Sequence, residues 1–334
     1  MSEDNRQMNH RAGQGMRYRN AARQKRRKKM LHYAWLGVSV SVFIFSIVQL
    51  IGYTGEYYQS KKLSEELRNA YYEETPAVTE NTTAAAVYTP APTAVPVVTP
   101  IPELGVMPAQ PENVQTLPTV RYPGNSSARI SSRFEKLRRQ NTDIIGWLSI
   151  DELVDEAVVQ RDNSYYLRRD YRGYHNNNGA IFLDENCNLK MRPYTLILYG
   201  HNMKTGAMFG GLRNYENIVY LKNNPFITFD TAYENGRYVI FSVATVSTKT
   251  ADRNFFDFIK MQSANVLWRQ EALESLKRLS LFTTPVDVQP NDQILLLVTC
   301  VDDDDERRII AARRIRDGES ESTLFSQVGQ SRKK

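Results

Sequence analysis

Gln293-Ile-Leu-Leu-Leu-Val-Thr-Cys300 is a short aliphatic run that ends in a thiol. Its length and its branched residues read as a buried strand. A second run of the same kind, Thr195-Leu-Ile-Leu-Tyr-Gly-His201, ends in an imidazole, and a third, Arg308–Ile315, opens behind the arginine pair Arg307 and Arg308. Working outward, β-type runs recur at Ala157–Gln160, Ala180–Leu183, Ile218–Leu221, Pro225–Phe229 and Tyr238–Val246, and Asn141–Ile150 leads into them. Helical spacing appears at Ile130, Phe134 and Leu137, over 207–215 (Met208, Phe209, Leu212, Tyr215) and over 264–281 (Trp268, Ala272, Leu276, Leu279). Many short strands with few helices predict a mainly β fold, and a closed barrel removes the exposed sheet edges.

This folded unit is expected over 126–317, a comfortable size for one domain. Residues 318–334 read as a polar disordered end. Ahead of the domain lies 53–125, a polar, helix-permissive juxtamembrane segment that gives way to a Pro/Thr-rich stalk such as Tyr88-Thr-Pro-Ala-Pro-Thr-Ala-Val-Pro. Repeated prolines forbid packed helix or central strand, so the stalk is read as extended. Leu31–Gly52 contains no Asp, Glu, Lys or Arg and is long enough to span a bilayer. Residues 1–30 hold ten basic side chains against Glu3 and Asp4, a net +8, while the whole chain is +6 and the rest therefore −2. The basic character belongs to this tail. It predicts a single-pass anchor with the N-terminus in the cytoplasm and the domain outside. No small-x-small cleavage site follows the apolar core, which argues against a removed signal peptide. Without aromatic interleaving, the basic tail points to anionic lipid rather than to nucleic acid.

The chain has four histidines and two cysteines, too few for a disulfide framework. A cysteine attacks only as its thiolate, which needs a lowered pKa or a neighbouring cation. His201 can supply an imidazolium beside Cys300 and later protonate a departing amine. An arginine of the 307–308 pair can hold a substrate carbonyl or a tetrahedral oxyanion, with the backbone N–H of Val301 as a second donor. The plain alternatives are a small buried cysteine, a loop histidine and a surface arginine. Cys187, in Asp184-Glu-Asn-Cys-Asn, reads as an ordinary loop thiol.

The domain resembles a class B sortase, a membrane-anchored cysteine transpeptidase of Gram-positive bacteria. The resemblance rests on Asn141-Thr-Asp-Ile-Ile-Gly-Trp, Val158-Val-Gln-Arg-Asp-Asn-Ser-Tyr-Tyr-Leu167, Gly179-Ala-Ile-Phe-Leu-Asp, Leu198-Tyr-Gly-His-Asn-Met, Met208-Phe-Gly-Gly-Leu, Thr299-Cys300 and Arg308-Ile-Ile-Ala-Ala. It implies a closed sortase-type β-barrel with an N-terminal helix and an inserted helix before the last two strands. It also implies His201 as catalytic histidine, Cys300 as nucleophile and Arg308, directly ahead of its aliphatic run, as the arginine; Arg307 is the rival. Asn163, Leu167, Val298, Thr299, Phe255 and Phe256 then fall at positions that bind the substrate. No cofactor or metal is implied.

The implied reaction cleaves a C-terminal sorting signal on a surface protein through a thioester. It then joins that protein to a cell-envelope amine, from a peptidoglycan precursor or a pilin lysine. Val298 departs from the pattern, since many relatives carry a serine there. The acidic run Asp302–Glu306 lacks the alternating ligands and glycine of a calcium loop and reads as a solvated loop, one whose negative potential could attract a cationic amine. A papain-like hydrolase and a non-catalytic membrane-anchored binding module are the competing readings.

Overall fold

The computed structural model describes residues 3–73, 115–300 and 305–334. The chain forms two compact units, 1–59 and 60–334. Helix α1 (Glu3–Tyr72) begins in the first and ends in the second. Its stretch Lys28–Gln49, 22 residues, is long and apolar enough to cross a membrane.

The second unit continues with α2 (Ser132–Arg138), β1 (Ile144–Ile150), β2 (Val154–Val159), β3 (Ile181–Leu183) and β4 (Thr195–Tyr199). There follow α3 (Ile218–Asn223), β5 (Phe226–Thr231), β6 (Arg237–Ser247), α4 (Phe258–Gln262) and α5 (Val266–Leu279). The chain closes with β7 (Phe282–Thr283), β8 (Ile294–Cys300), β9 (Glu306–Arg314), α6 (Glu321–Gly329) and β10 (Arg332–Lys333). Eight strands close into a barrel in the order β1-β2-β3-β4-β8-β9-β6-β5. Two neighbouring pairs, β2/β3 and β4/β8, are parallel. The expected closed barrel, with an N-terminal helix and a helix inserted ahead of the last two barrel strands, is therefore the observed architecture.

Side chains alternate across each strand, and the two faces bury differently. Leu183, Leu198, Leu297 and Ile310 are paired in register across β3, β4, β8 and β9 and are fully buried in the main core. Trp147, Val159 and Phe182 belong to a second cluster, which Leu67 and Tyr71 of α1 and Phe134 and Leu137 of α2 also enter. Tyr71 stacks on Trp147 at 4.4 Å and its hydroxyl donates to Asp230 Oδ2 at 2.6 Å. The juxtamembrane segment is thus helical as read, but from Ser60 onward it is part of the folded unit.

Several expectations need correction. Ile218–Leu221 is helix α3 rather than a strand: Asn217 caps it, accepting from Val219 N at 2.9 Å, which outweighs the β-branched pair Ile218-Val219. Over 207–215 the helix is a 3₁₀ segment that starts only at Gly210 and runs to Glu216, because Met208 takes a φ of +52°. The buried face of α5 is Arg269, Ala272, Leu273 and Leu276, and Trp268 is exposed. Arg269 lies fully buried, donating to Thr195 Oγ1 and to the carbonyls of Met261, Pro290, Tyr194 and Asp292 at 2.7–3.1 Å. A charge at a core position is invisible to hydrophobic periodicity. Residues 318–334, read as a disordered end, carry α6 with Leu324 and Val328 buried, then β10 paired to β7. Of the stalk, 74–114 lies outside the described residues, and 115–125 packs on the domain: Leu117 N donates to Ala264 O at 2.8 Å and Tyr122 is buried.

Candidate active site

Because β4 and β8 are parallel neighbours, with Tyr199 opposite Val298, both strands end at the same rim of the barrel. His201 follows β4 and Cys300 ends β8, so the two reactive positions meet at one rim although 99 residues separate them. Gly200 N still donates to Val298 O at 3.3 Å, after which the chain turns outward and His201 O accepts from Phe209 N at 3.0 Å. Of Cys300 only the backbone is described, opposite Arg307. Val301 and Asp302–Asp304 lie outside the described residues. Asp305 is held at 2.5 Å by Lys249, and its carbonyl accepts from Thr248 N at 2.9 Å.

The His201 ring rests against the long β2–β3 connection. Its Nε2 is 2.6 Å from the carbonyl oxygen of Leu167. A carbonyl can only accept, so Nε2 carries a proton in this arrangement and Nδ1 is the nitrogen left for exchange. Gly179 makes room for this seat. With φ at +62°, its missing Cβ would stand 2.7 Å from both Tyr166 O and Leu167 O and 3.1 Å from His201 Cδ2. Leu167 is exposed, and it is its backbone that touches the histidine.

Asn163 is engaged at both ends of its amide. It accepts from Glu185 N at 2.9 Å and donates to Asp184 Oδ2 at 3.0 Å. Asp184 also accepts from Tyr199 OH at 3.2 Å and Gln262 Nε2 at 2.8 Å, tying β4 and the inserted α4 to this loop. Burial, with the charge of Asp184 and the hydrogen bond to it, pushes the Tyr199 hydroxyl well up, and Arg307 acts the other way. Asp184 and Tyr199 were not singled out in the sequence, where nothing announces that one carboxylate gathers three side chains. Val298, Thr299 and Phe256 are 2 %, 2 % and 1 % exposed, so their side chains lie buried. Phe256 packs edge-on to Phe258 in the core, and Phe255 is half-buried beside Ser247.

The two arginines separate. Arg307 shares the face of Cys300 by register, whereas Arg308 lies opposite Thr299. The Arg308 side chain is 7 % exposed, and Glu216 accepts from its Nε at 3.0 Å and from its Nη2. Its Nη1 is buried without a hydrogen-bond partner among the described residues, and so is Thr299 Oγ1. A buried donor of this kind is costly unless something comes to satisfy it. Glu216 carries no sequence signal. Cys187 is buried, its Sγ 3.5 Å from Thr195 O, and burial pushes the thiol up to about 12, as suits an inert residue. Among the described residues, no group of His, Cys, Asp and Glu side chains could hold a metal ion.

The sortase domain model matches residues 149–315. Sortase B of Listeria monocytogenes is 30% identical over 178 residues, 53% of this chain and 70% of that protein. A crystal structure of sortase B from B. anthracis superposes with a TM-score of 0.56 at 24% identity, covering 78% of this chain and 97% of that one. A Staphylococcus aureus sortase B–substrate complex gives 0.50 at 28% identity, covering 57% and 88%.

Proposed function

The chain belongs to the sortase family, in class B, and from that premise we propose that Cys300 forms a thioester with a sorting signal, which an amine then resolves. The transpeptidase activity is the family's; the residue roles and the substrates are the proposal. The Cys300 thiolate attacks the scissile carbonyl carbon, an S–C bond forms, and the C–N bond breaks as His201 gives its proton to the leaving amine. The acceptor amine then attacks the thioester, its nitrogen losing a proton to His201 while the thiolate departs. Arg308 holds the carbonyl oxygen as it becomes an oxyanion, helped by the Val301 N–H.

The observation that supports this most is the parallel pairing of β4 with β8, which brings the His201 and Cys300 positions to one rim. Arg308 Nη1, without a partner among the described residues, supports the choice of arginine: Glu216 fixes one side of the guanidinium and leaves a donor for the substrate. Exposed Leu167 and the Asn163 loop stand beside the histidine as the surface for the signal. The +8 flank ahead of the apolar helix supports an N-terminus in the cytoplasm and a catalytic unit outside it. There it would meet signal-bearing surface proteins and an amine of the peptidoglycan precursor or of a pilin.

The test incubates the full chain in detergent with a library of signal peptides and candidate amines and reads the products by mass. Joined products that vanish in Cys300→Ala and His201→Ala are expected. Cleavage with water alone, whatever amine is supplied, would instead assign a hydrolase, and binding without turnover a recognition module.

A further inference from the structure

Ser60 is the first residue of the catalytic unit, and it starts a single stripe along α1. Ser60, Ser64, Leu67 and Tyr71 recur at helical spacing, and each meets the barrel unit. Leu67 is fully buried, Ser64 donates to Glu156 at 2.6 Å, and Tyr71 reaches Asp230. The contact of Ser60 differs in kind from these. Its hydroxyl oxygen accepts from Asn176 Nδ2 at 2.8 Å and from Asn178 Nδ2 at 3.0 Å. Both asparagines are 4 % exposed, so neither amide has bulk water as a substitute acceptor.

These asparagines build the turn beneath His201. Asn176 Oδ1 accepts from Asn178 N at 2.9 Å, and Asn176 O accepts from Gly179 N at 3.0 Å. Asn176 N donates to Arg168 O and Ala180 N to Tyr166 O, both at 3.1 Å, which laces this turn to the Tyr165–Arg168 segment. That segment presents the Leu167 carbonyl to His201 Nε2. The path from Ser60 to the imidazole is therefore continuous: hydroxyl, two buried amides, the Gly179 turn, the Leu167 carbonyl. Such a path carries geometry, since a reacting group displaced by about 1 Å can lose on the order of a hundredfold in rate.

We propose that Ser60 is a positioning residue for His201, so that the helix entering the catalytic unit holds the seat of the catalytic histidine. The proposal rests on the transpeptidase reading above for the role of His201. It differs from a merely structural role for α1, in which any contact of the stripe would do equally well. Ser64 supplies the comparison, because its hydroxyl also bonds the barrel unit but leads to Glu156 and not to the histidine.

The experiment compares full-length Ser60→Ala, Ser60→Thr and Ser64→Ala in detergent. Transfer kinetics, thermal midpoint and the ring NMR signals of His201, one of four histidines, are followed together. Ser60→Ala is expected to lower kcat about tenfold with little change in KM and to move the His201 ring signals. Ser60→Thr, which keeps the hydroxyl, restores both, and Ser64→Ala stays within about twofold of the parent. The proposal is overturned if Ser60→Ala behaves like Ser64→Ala, or if its loss follows the thermal midpoint and threonine does not rescue it. Should the parent transfer no signal to any amine, the functional reading fails. The ring signals then decide the coupling by themselves, moving in Ser60→Ala alone or not.

Discussion

Replacing Gly179 by alanine tests the seat of His201 most directly. Two costs arise. Alanine at a φ of +62° pays roughly 1 kcal/mol for the left-handed conformation. The new methyl would stand 2.7 Å from two backbone carbonyls, where real Cβ contacts are essentially never found, so the Tyr166–Leu167 backbone or the Gly179 turn must move. Overpacking of that kind costs about 2 kcal/mol. Gly318→Ala is the control, because its φ is +83° with nothing within 4 Å of the added methyl. Both replacements share the left-handed cost and the stiffening of the unfolded chain, so their difference isolates the clash. At roughly 2–4 °C per kcal/mol for a unit of this size, Gly179→Ala should melt about 4–8 °C below Gly318→Ala. Because the atoms that must move include the carbonyl holding His201, transfer should also fall about 10- to 100-fold in Gly179→Ala and stay near the parent rate in Gly318→Ala. Equal midpoints and equal rates for the two variants would refute the idea that the tight turn seats the histidine.

Three further outcomes are expected. Arg308→Ala should lower transfer by about 10²–10³-fold, as for the loss of an oxyanion donor, and Arg307→Ala by less than about tenfold; the reverse order would hand the role to Arg307, as the strand register alone suggests. With its thiol buried and pushed up to about 12, Cys187 stays protonated at pH 8. Native protein should therefore take one thiol label, Cys300→Ala none, and denatured protein two; two labels on the native chain would contradict the burial of Cys187. Glu156 is pushed up to about 7 by burial, against the opposing effects of Ser64 and Arg68. The folded state then holds a proton that the unfolded state releases near 4.5, so this contribution is full below that pH and is lost as the pH rises to about 7. Denaturant titrations from pH 4 to 8 should show this fall and a flatter profile in Glu156→Gln, and identical profiles would exclude it.

The strands were legible because each is a local pattern. The strand Thr195–Tyr199 starts where the run read from Thr195 to His201 starts and ends two residues short of it, and β8 and β9 differ from their readings by only a residue or two. What misled the local reading were residues whose partners lie elsewhere in the chain. Arg269 fills a core position because four carbonyls from three other segments surround it. Leu324 and Val328 made too weak a pattern to reveal α6 until the barrel offered them a surface.

By itself the sequence determined an apolar stretch long enough to span a membrane, a mainly β domain, and a histidine and a cysteine at strand exits. These follow from composition and periodicity, which act over a few residues. The tertiary structure decided that β4 and β8 run parallel as neighbours, that a leucine carbonyl holds His201, and that Glu216 grips Arg308. It also decided that the end of α1 belongs to the catalytic unit. Barrel closure and register choose those partners across dozens of residues, and no local pattern encodes which carbonyl, carboxylate or hydroxyl will arrive.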